Sequence, residues 1–175
     1  MIRIFLTGYM GAGKTTLGKA LARKLHLSFV DLDWYIEERL HKTVGELFAE
    51  RGEVAFRELE RKMLHEVGAF EDVVISTGGG APCFFDNMEF MNRNGETVFL
   101  DVHPDVLFRR LRVARQQRPI LKGKGDDELK AFIAEALVER APFYTQAQYI
   151  FDGSELEDYW QIEKSVERLR KLLKV

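Results

Sequence analysis

An α/β fold, a parallel sheet covered by helices on both faces, is what this 175-residue sequence predicts. Three observations lead there. Short apolar runs, several rich in β-branched residues, alternate along the chain with amphipathic helical patterns. Two of those runs stop abruptly at glycine. No internal repeat, low-complexity segment or linker divides the chain, so one domain over residues 1–175 is expected.

Residues 2–7 form an apolar run ending at Gly8, which reads as a buried strand. Leu17, Leu21 and Leu25 recur every fourth residue over 14–26 and predict an amphipathic helix. Residues 29–32 are a second strand, with a helix starting near Trp34. Thr43 and Glu46 have capping-box spacing and open a further helix, which Gly52 interrupts. Phe56, Leu59, Met63 and Val67 then carry helical spacing over 53–67. Val73–Ser76 is a β-branched strand ending at Gly78-Gly79-Gly80. Asp86 and Glu89 repeat the capping-box spacing, and Gly95 closes that helix. Residues 97–102 are a strand, and Pro104 suits the first turn of the helix after it. Helical patterns follow over 127–139 and Tyr159–Leu173, with a short strand at 149–151 between them. Residues 112–125, dense in Arg, Gln, Lys and Gly and poor in apolar anchors, are expected to be flexible.

Hydrophobic residues make up 46% of the chain and charged ones 31%, enough for a packed core. Lys+Arg number 26 against 28 Asp+Glu, a net charge of −2, which argues against gripping nucleic acid or anionic membrane through bulk charge. The single cysteine, Cys83, excludes an intramolecular disulfide, fits a reducing cytosol, and is best read as a small core residue. No stretch approaches the roughly 20 apolar residues that span a bilayer, and the first residues lack the basic leader of a signal peptide. A cytoplasmic protein is expected.

Gly8-Tyr9-Met10-Gly11-Ala12-Gly13-Lys14-Thr15 matches the Walker A pattern without a gap, between a predicted strand and a predicted helix. Gly11 and Gly13 let the backbone curl so that successive N–H groups converge on phosphate oxygens. The helix beginning near Lys14 adds its positive end. Lys14 offers a mobile charge for the β- and γ-phosphates, and the Thr15 hydroxyl can ligate Mg²⁺. Gly11, Ala12, Gly13, Lys14, Thr15 and Thr16 are therefore the candidate cradle for ATP.

Asp31-Leu32-Asp33 ends the second strand, and ligands of open α/β sheets gather at the carboxyl ends of strands. Strand alternation would put both carboxylates on one side, one to hold Mg²⁺ through water and the other to take a proton from an acceptor hydroxyl. The alternative is that they cap the next helix. The triple glycine would let backbone approach a ligand, or form a plain turn. Arg57 would serve a ligand or pair with Glu53 on its own helix, and Glu60 one turn on could hold Arg57 in place. Arg140, ahead of Ala141-Pro142, lies either in a site or at a break between helices, on the last carbonyls. Arg118 is a lid arginine or a solvated one; Arg112, Arg115, Lys122 and Lys124 read as a solvated face.

Taken in order, the Walker A loop, Asp31-Leu32-Asp33, Phe56-Arg57-Glu58-Leu59-Glu60, Gly78-Gly79-Gly80-Ala81, Arg118-Pro119-Ile120-Leu121 and Arg140-Ala141-Pro142-Phe143-Tyr144 resemble the shikimate kinases, from about residue 3 to 151. The resemblance implies a three-layer P-loop fold like that of nucleoside monophosphate kinases, with a five-stranded parallel sheet. It also implies a lid at about 112–125 and a small helical substrate-binding region at about 33–60. The implied reaction is transfer from ATP, with Mg²⁺, to the 3-hydroxyl of shikimate, a step of aromatic amino-acid (chorismate) biosynthesis. Asp33 would bind ring hydroxyls and activate the acceptor, Arg57 and Arg140 would pair with the carboxylate, and Gly79 and Gly80 would offer backbone. Thr15 would ligate the metal with Asp31 in its outer shell, and Arg118 would reach the phosphates. Arg110 would stack on adenine, with residues 152–154 as the adenine loop. A monomer is expected.

The chemistry agrees with that assignment. An acid bearing several hydroxyls needs planar cationic forks for the carboxylate and a desolvated carboxylate for the alcohols. A gluconate or nucleoside kinase is the nearest rival, since a sugar acid carries the same groups. A GTP-binding switch would need Asn-Lys-x-Asp, and no Asn-Lys pair occurs in the chain.

Overall fold

The computed structural model describes residues 1–115 and 118–175. Among them five strands form one sheet in the order β2-β3-β1-β4-β5: β1 Arg3–Thr7, β2 Ser28–Asp31, β3 Val73–Ser76, β4 Glu96–Asp101 and β5 Tyr149–Asp152. Every pairing is parallel, with Phe5 opposite Ile75 on one side and Thr97 on the other. Seven α-helices cover the sheet among the described residues: α1 Lys14–Leu25, α2 Leu32–Leu40, α3 Val44–Val67, α4 Asn87–Asn94, α5 Pro104–Ala114, α6 Asp126–Tyr144 and α7 Tyr159–Leu173.

The apolar runs read as they do because both sheet faces are covered. Ile4 and Leu6 enter a core shared with α1, α5, α6 and α7, while Phe5 between them enters a second core with α2, α3 and α4. Each such side chain, fully buried, contributes about 1.5–3 kcal/mol. The central strand β1 has β3 on one side and β4 on the other, so the chain leaves β1 where the order of connections reverses. That is where an open α/β sheet makes its ligand crevice.

Most boundaries fall where the local signals put them. The Thr43–Glu46 capping box forms, with Glu46 N–H on Thr43 Oγ1 at 3.1 Å and Thr43 N–H on Glu46 Oε2 at 2.9 Å. Gly52, at φ 79°, kinks α3 as the interruption implied. Other signals misled. Asp86 takes the N-cap position of α4, but its side chain makes no capping bond; its carboxylate pairs with Arg61 at 2.9 Å, and Glu89 pairs with Arg93 instead. No break follows Arg140, because α6 continues through Pro142 to Tyr144. Arg115 belongs to no solvated face: it donates to Asp126 Oδ1 at 2.6 Å, half-buried. Within 112–125, Leu121 is fully buried in the core, an anchor the composition hid; Gln116 and Gln117 of the expected lid lie outside the described residues.

Candidate active site

The loop between β1 and α1 curls through left-handed backbone at Gly11 (φ 80°) and at Gly13 (φ 98°), the residue preceding α1. A side chain at either position would be strained. The curl brings Lys14 Nζ back over the loop, where it donates to Gly8 O at 2.7 Å and Tyr9 O at 2.9 Å. Ala12 is buried beneath the loop, Gly11, Gly13, Lys14 and Thr15 are half-buried, and Thr16 is exposed. All but Ala12 line a cleft of about 350 Å³ together with Asp31, Asp33, Gly79, Arg110 and Arg118.

Asp31 caps the next helix and also meets Thr15. Its Oδ1 accepts from Trp34 N–H at 3.1 Å, capping α2, while Oδ2 accepts from Thr15 Oγ1 at 3.2 Å. Asp33 is not on the strand, contrary to the alternation argument; it sits in the first turn of α2 and reaches the cleft from there. Burial pushes its carboxyl up to about 7, helped by the negative charges of Glu60, Asp31 and Glu37, while Lys14 opposes the shift. Burial also lowers Lys14 to about 8, against the pull of Asp33 and Asp31 and with the push of Arg118 and Arg140.

The triple glycine is explained by three side chains. A Cβ on Gly78 would lie 3.0 Å from Asp33 Oδ1; on Gly79, 3.1 Å from Arg140 Nη1; on Gly80, 2.6 Å from Arg57 Nη2. Each glycine gives room to one of the three charged groups proposed from the sequence. Arg57 donates to Glu60 Oε1 at 2.9 Å, whereas Glu53 is 3.9 Å away, too far for a hydrogen bond. Its guanidinium carbon lies 4.3 Å from the Phe84 ring centroid, 5.4 Å from Phe56 and 5.9 Å from Phe48. Its buried Nε has no hydrogen-bond partner among the described residues. Glu60 is buried and its carboxyl is raised by that burial, with Arg57 opposing.

Arg118 is exposed at the cleft wall, and its charge is felt by Lys14. Arg110 crosses the cleft floor: Nη1 donates to Gly11 O at 3.0 Å, Nη2 to Gly153 O at 2.8 Å and Ser154 O at 3.0 Å, and Nε to Glu157 at 2.8 Å. It therefore ties the Walker A loop to the expected adenine loop through its edge. Leu156 and Glu157, which line the cleft, went unnoticed in the sequence because nothing local marks them. Phe48 and Phe84 carried no signal either. Nor did Tyr144: four residues past Arg140, it shares that helix face only because α6 runs on through Pro142. Cys83 packs half-buried against the core, and burial raises its thiol, as a small core residue should show.

A P-loop at a sheet switch point, facing a carboxylate of raised basicity and two sequestered arginines, defines a phosphotransferase acting on a small anionic alcohol. Comparison with known proteins makes the class specific. Residues 10–171 match the family model described as shikimate kinase. A shikimate kinase of Bacteroides thetaiotaomicron is 78% identical over 175 residues, all of both chains. The crystal structure of shikimate kinase from that organism superposes with a TM-score of 0.98, at 78% identity, over 99% of each chain. The Acinetobacter baumannii shikimate kinase, solved in complex with shikimate, gives 0.85 at 31% identity over 99% of this chain and 94% of its own. The chain belongs to the shikimate kinase family.

Proposed function

We infer that the protein phosphorylates the 3-hydroxyl of shikimate with ATP, giving ADP and shikimate 3-phosphate. One observation carries the assignment of the site: three consecutive glycines make room for Asp33, Arg140 and Arg57, and both Asp33 and Arg140 lie near enough to Lys14 for their charges to act on it. Phosphate-binding and acid-binding halves therefore meet at one place. The relatives do not favour a gluconate or nucleoside kinase. In this reading residues 1–175 are one P-loop domain, with substrate held by the 33–60 region and closure by 112–125. The single thiol suits a cytoplasmic setting, and we read the protein as a monomer.

Arg57 and Arg140 fix the carboxylate through their planar forks, and Gly79 and Gly80 allow the ring to approach the backbone. Asp33 takes the proton of the attacking hydroxyl, and its raised basicity suits that task near neutral pH. Lys14 and Arg118 balance the charge on the phosphates during in-line transfer. Thr15 Oγ1 and Asp31 Oδ2 are hard oxygen donors of the kind Mg²⁺ takes; Thr15 would ligate the ion and Asp31 would hold it through water. When bound, it neutralises charge on the transferring phosphoryl group.

Mass identification of shikimate 3-phosphate after incubation with Mg-ATP tests the reaction; release of ADP with gluconate or a nucleoside but not with shikimate would overturn it. Arg57→Ala tests the site. The KM for shikimate is expected to rise about 30-fold or more, with the KM for ATP within about twofold. An unchanged shikimate KM would remove Arg57 from the acid site.

The pH profile of kcat/KM follows from the two shifted groups. Activity rises as Asp33 loses its proton near 7 and falls above about 8 as Lys14 loses its own. A flat profile from pH 6 to 9 would contradict both roles.

A further inference from the structure

Tyr144 closes α6 one turn beyond Arg140, so both side chains face the glycine turn. Its ring is fully buried and stacks on Phe99, with centroids 5.0 Å apart. The hydroxyl donates to Gly79 O at 2.6 Å and accepts from Arg140 Nη1 at 3.5 Å. Burial pushes the phenol up to about 12, with Arg140 opposing, so it stays protonated and keeps donating to Gly79 O. The Arg140 guanidinium carbon lies 5.3 Å from the ring centroid of Tyr9, a Walker A residue. Arg140 thus has a phosphate-loop ring on one side and the phenol on another. Gly79 itself leans on that loop: a Cβ there would lie 3.4 Å from Gly8 O and 3.5 Å from Met10 N.

We propose that Tyr144 is a positioning residue for the acid substrate, its hydroxyl holding the Gly79 carbonyl and the Arg140 fork as one rigid corner against the phosphate loop. The proposal rests on the reading that Arg140 takes the substrate carboxylate. Tyr144 touches no reacting atom. A planar fork binds a carboxylate strongly only when its direction is already set, and the phenol supplies that direction without adding charge.

The test compares wild-type enzyme with Tyr144→Phe, using shikimate and the analogue whose carboxylate is a hydroxymethyl group. Phe keeps the ring that packs on Phe99 and removes only the oxygen. The KM for shikimate is expected to rise about tenfold, with kcat within about threefold and the KM for ATP within about twofold. The wild-type penalty for the analogue should shrink by the same factor, about tenfold, in the variant. Phe99→Leu, which loosens the stack and keeps the hydroxyl, should lower Tm while moving the shikimate KM by less than about twofold. A Tyr144→Phe enzyme with the wild-type shikimate KM would overturn the proposal. So would KM values that rise together for both substrates, a full wild-type penalty for the analogue in the variant, or an equal KM rise in Phe99→Leu. A wild-type enzyme indifferent to loss of the carboxylate would instead overturn the Arg140 assignment, and the proposal with it.

Discussion

Asp33→Asn is expected to lower kcat by about 10³-fold and, at the same time, to stabilise the protein above neutral pH. The loss follows from the base: Asn is nearly isosteric and keeps an acceptor for the ring hydroxyls, but it cannot take the proton. The KM for shikimate should therefore move far less than kcat. The gain in stability follows from the shift of Asp33 from 3.8 to about 7. Below about pH 4 the carboxyl is protonated in both the folded and the unfolded chain. Between 4 and 7 the unfolded chain has released a proton that the folded one retains, so stability falls as pH rises. Above 7 the full cost of the buried charge is present. Relative to wild type, the stability advantage of Asp33→Asn should grow from pH 4 to 7 and level off beyond, at about 1–2 kcal/mol after allowance for solvent screening at the open cleft. Thermal melts at pH 4, 6 and 8, beside single-turnover rates, check both halves. A variant that turns over within tenfold of wild type, or whose advantage shrinks with pH, would exclude Asp33 as the base.

Lys14→Met is expected to cost more, about 10³-fold or greater in kcat, with the fold intact. Met retains the unbranched stem and deletes the one mobile cation inside the Walker A curl. The two hydrogen bonds to Gly8 O and Tyr9 O disappear, but so does the cost of burying an ammonium that burial pulls down to about 8. These effects oppose each other, so Tm should shift by only a few degrees, roughly the equivalent of 1 kcal/mol. Circular dichroism and the thermal midpoint report the fold, and an ADP-release assay reports the chemistry. Turnover within tenfold of wild type would mean that the phosphates are neutralised elsewhere in the cleft.

The two predictions draw on residues of different legibility. Lys14 could be assigned from sequence because its neighbours in the chain are its neighbours in space: a strand, a glycine curl and a helix start lie within one local segment. Asp33 was noticed for a reason that proved wrong. Alternation along β2 was to bring it beside Asp31, but the strand ends at Asp31 and Asp33 arrives from the first turn of α2. Arg140 lost its supposed helix break altogether. Pro142 lacks an N–H, yet tertiary packing of α6, which buries Leu129, Ile133 and Tyr144, carries the helix through it.

The sequence by itself determined the strands, most helices, the Walker A cradle and the set of charged residues, because these depend on periodicity, caps and backbone preferences that act over a few residues. The capping bonds expected of Asp86 and Glu89 do not form: the Asp86 carboxylate pairs with Arg61, 25 residues back in the chain, and Glu89 pairs with Arg93 one turn on. Only the tertiary structure decided which charge meets which glycine, that Arg110 joins two loops 40 residues and more from it, and that the Tyr144 hydroxyl meets both Gly79 O and Arg140. Those facts depend on residues far apart in the chain being brought within hydrogen-bond reach at the ends of parallel strands. Sheet order and burial set those distances, and neither is written into any short stretch of sequence.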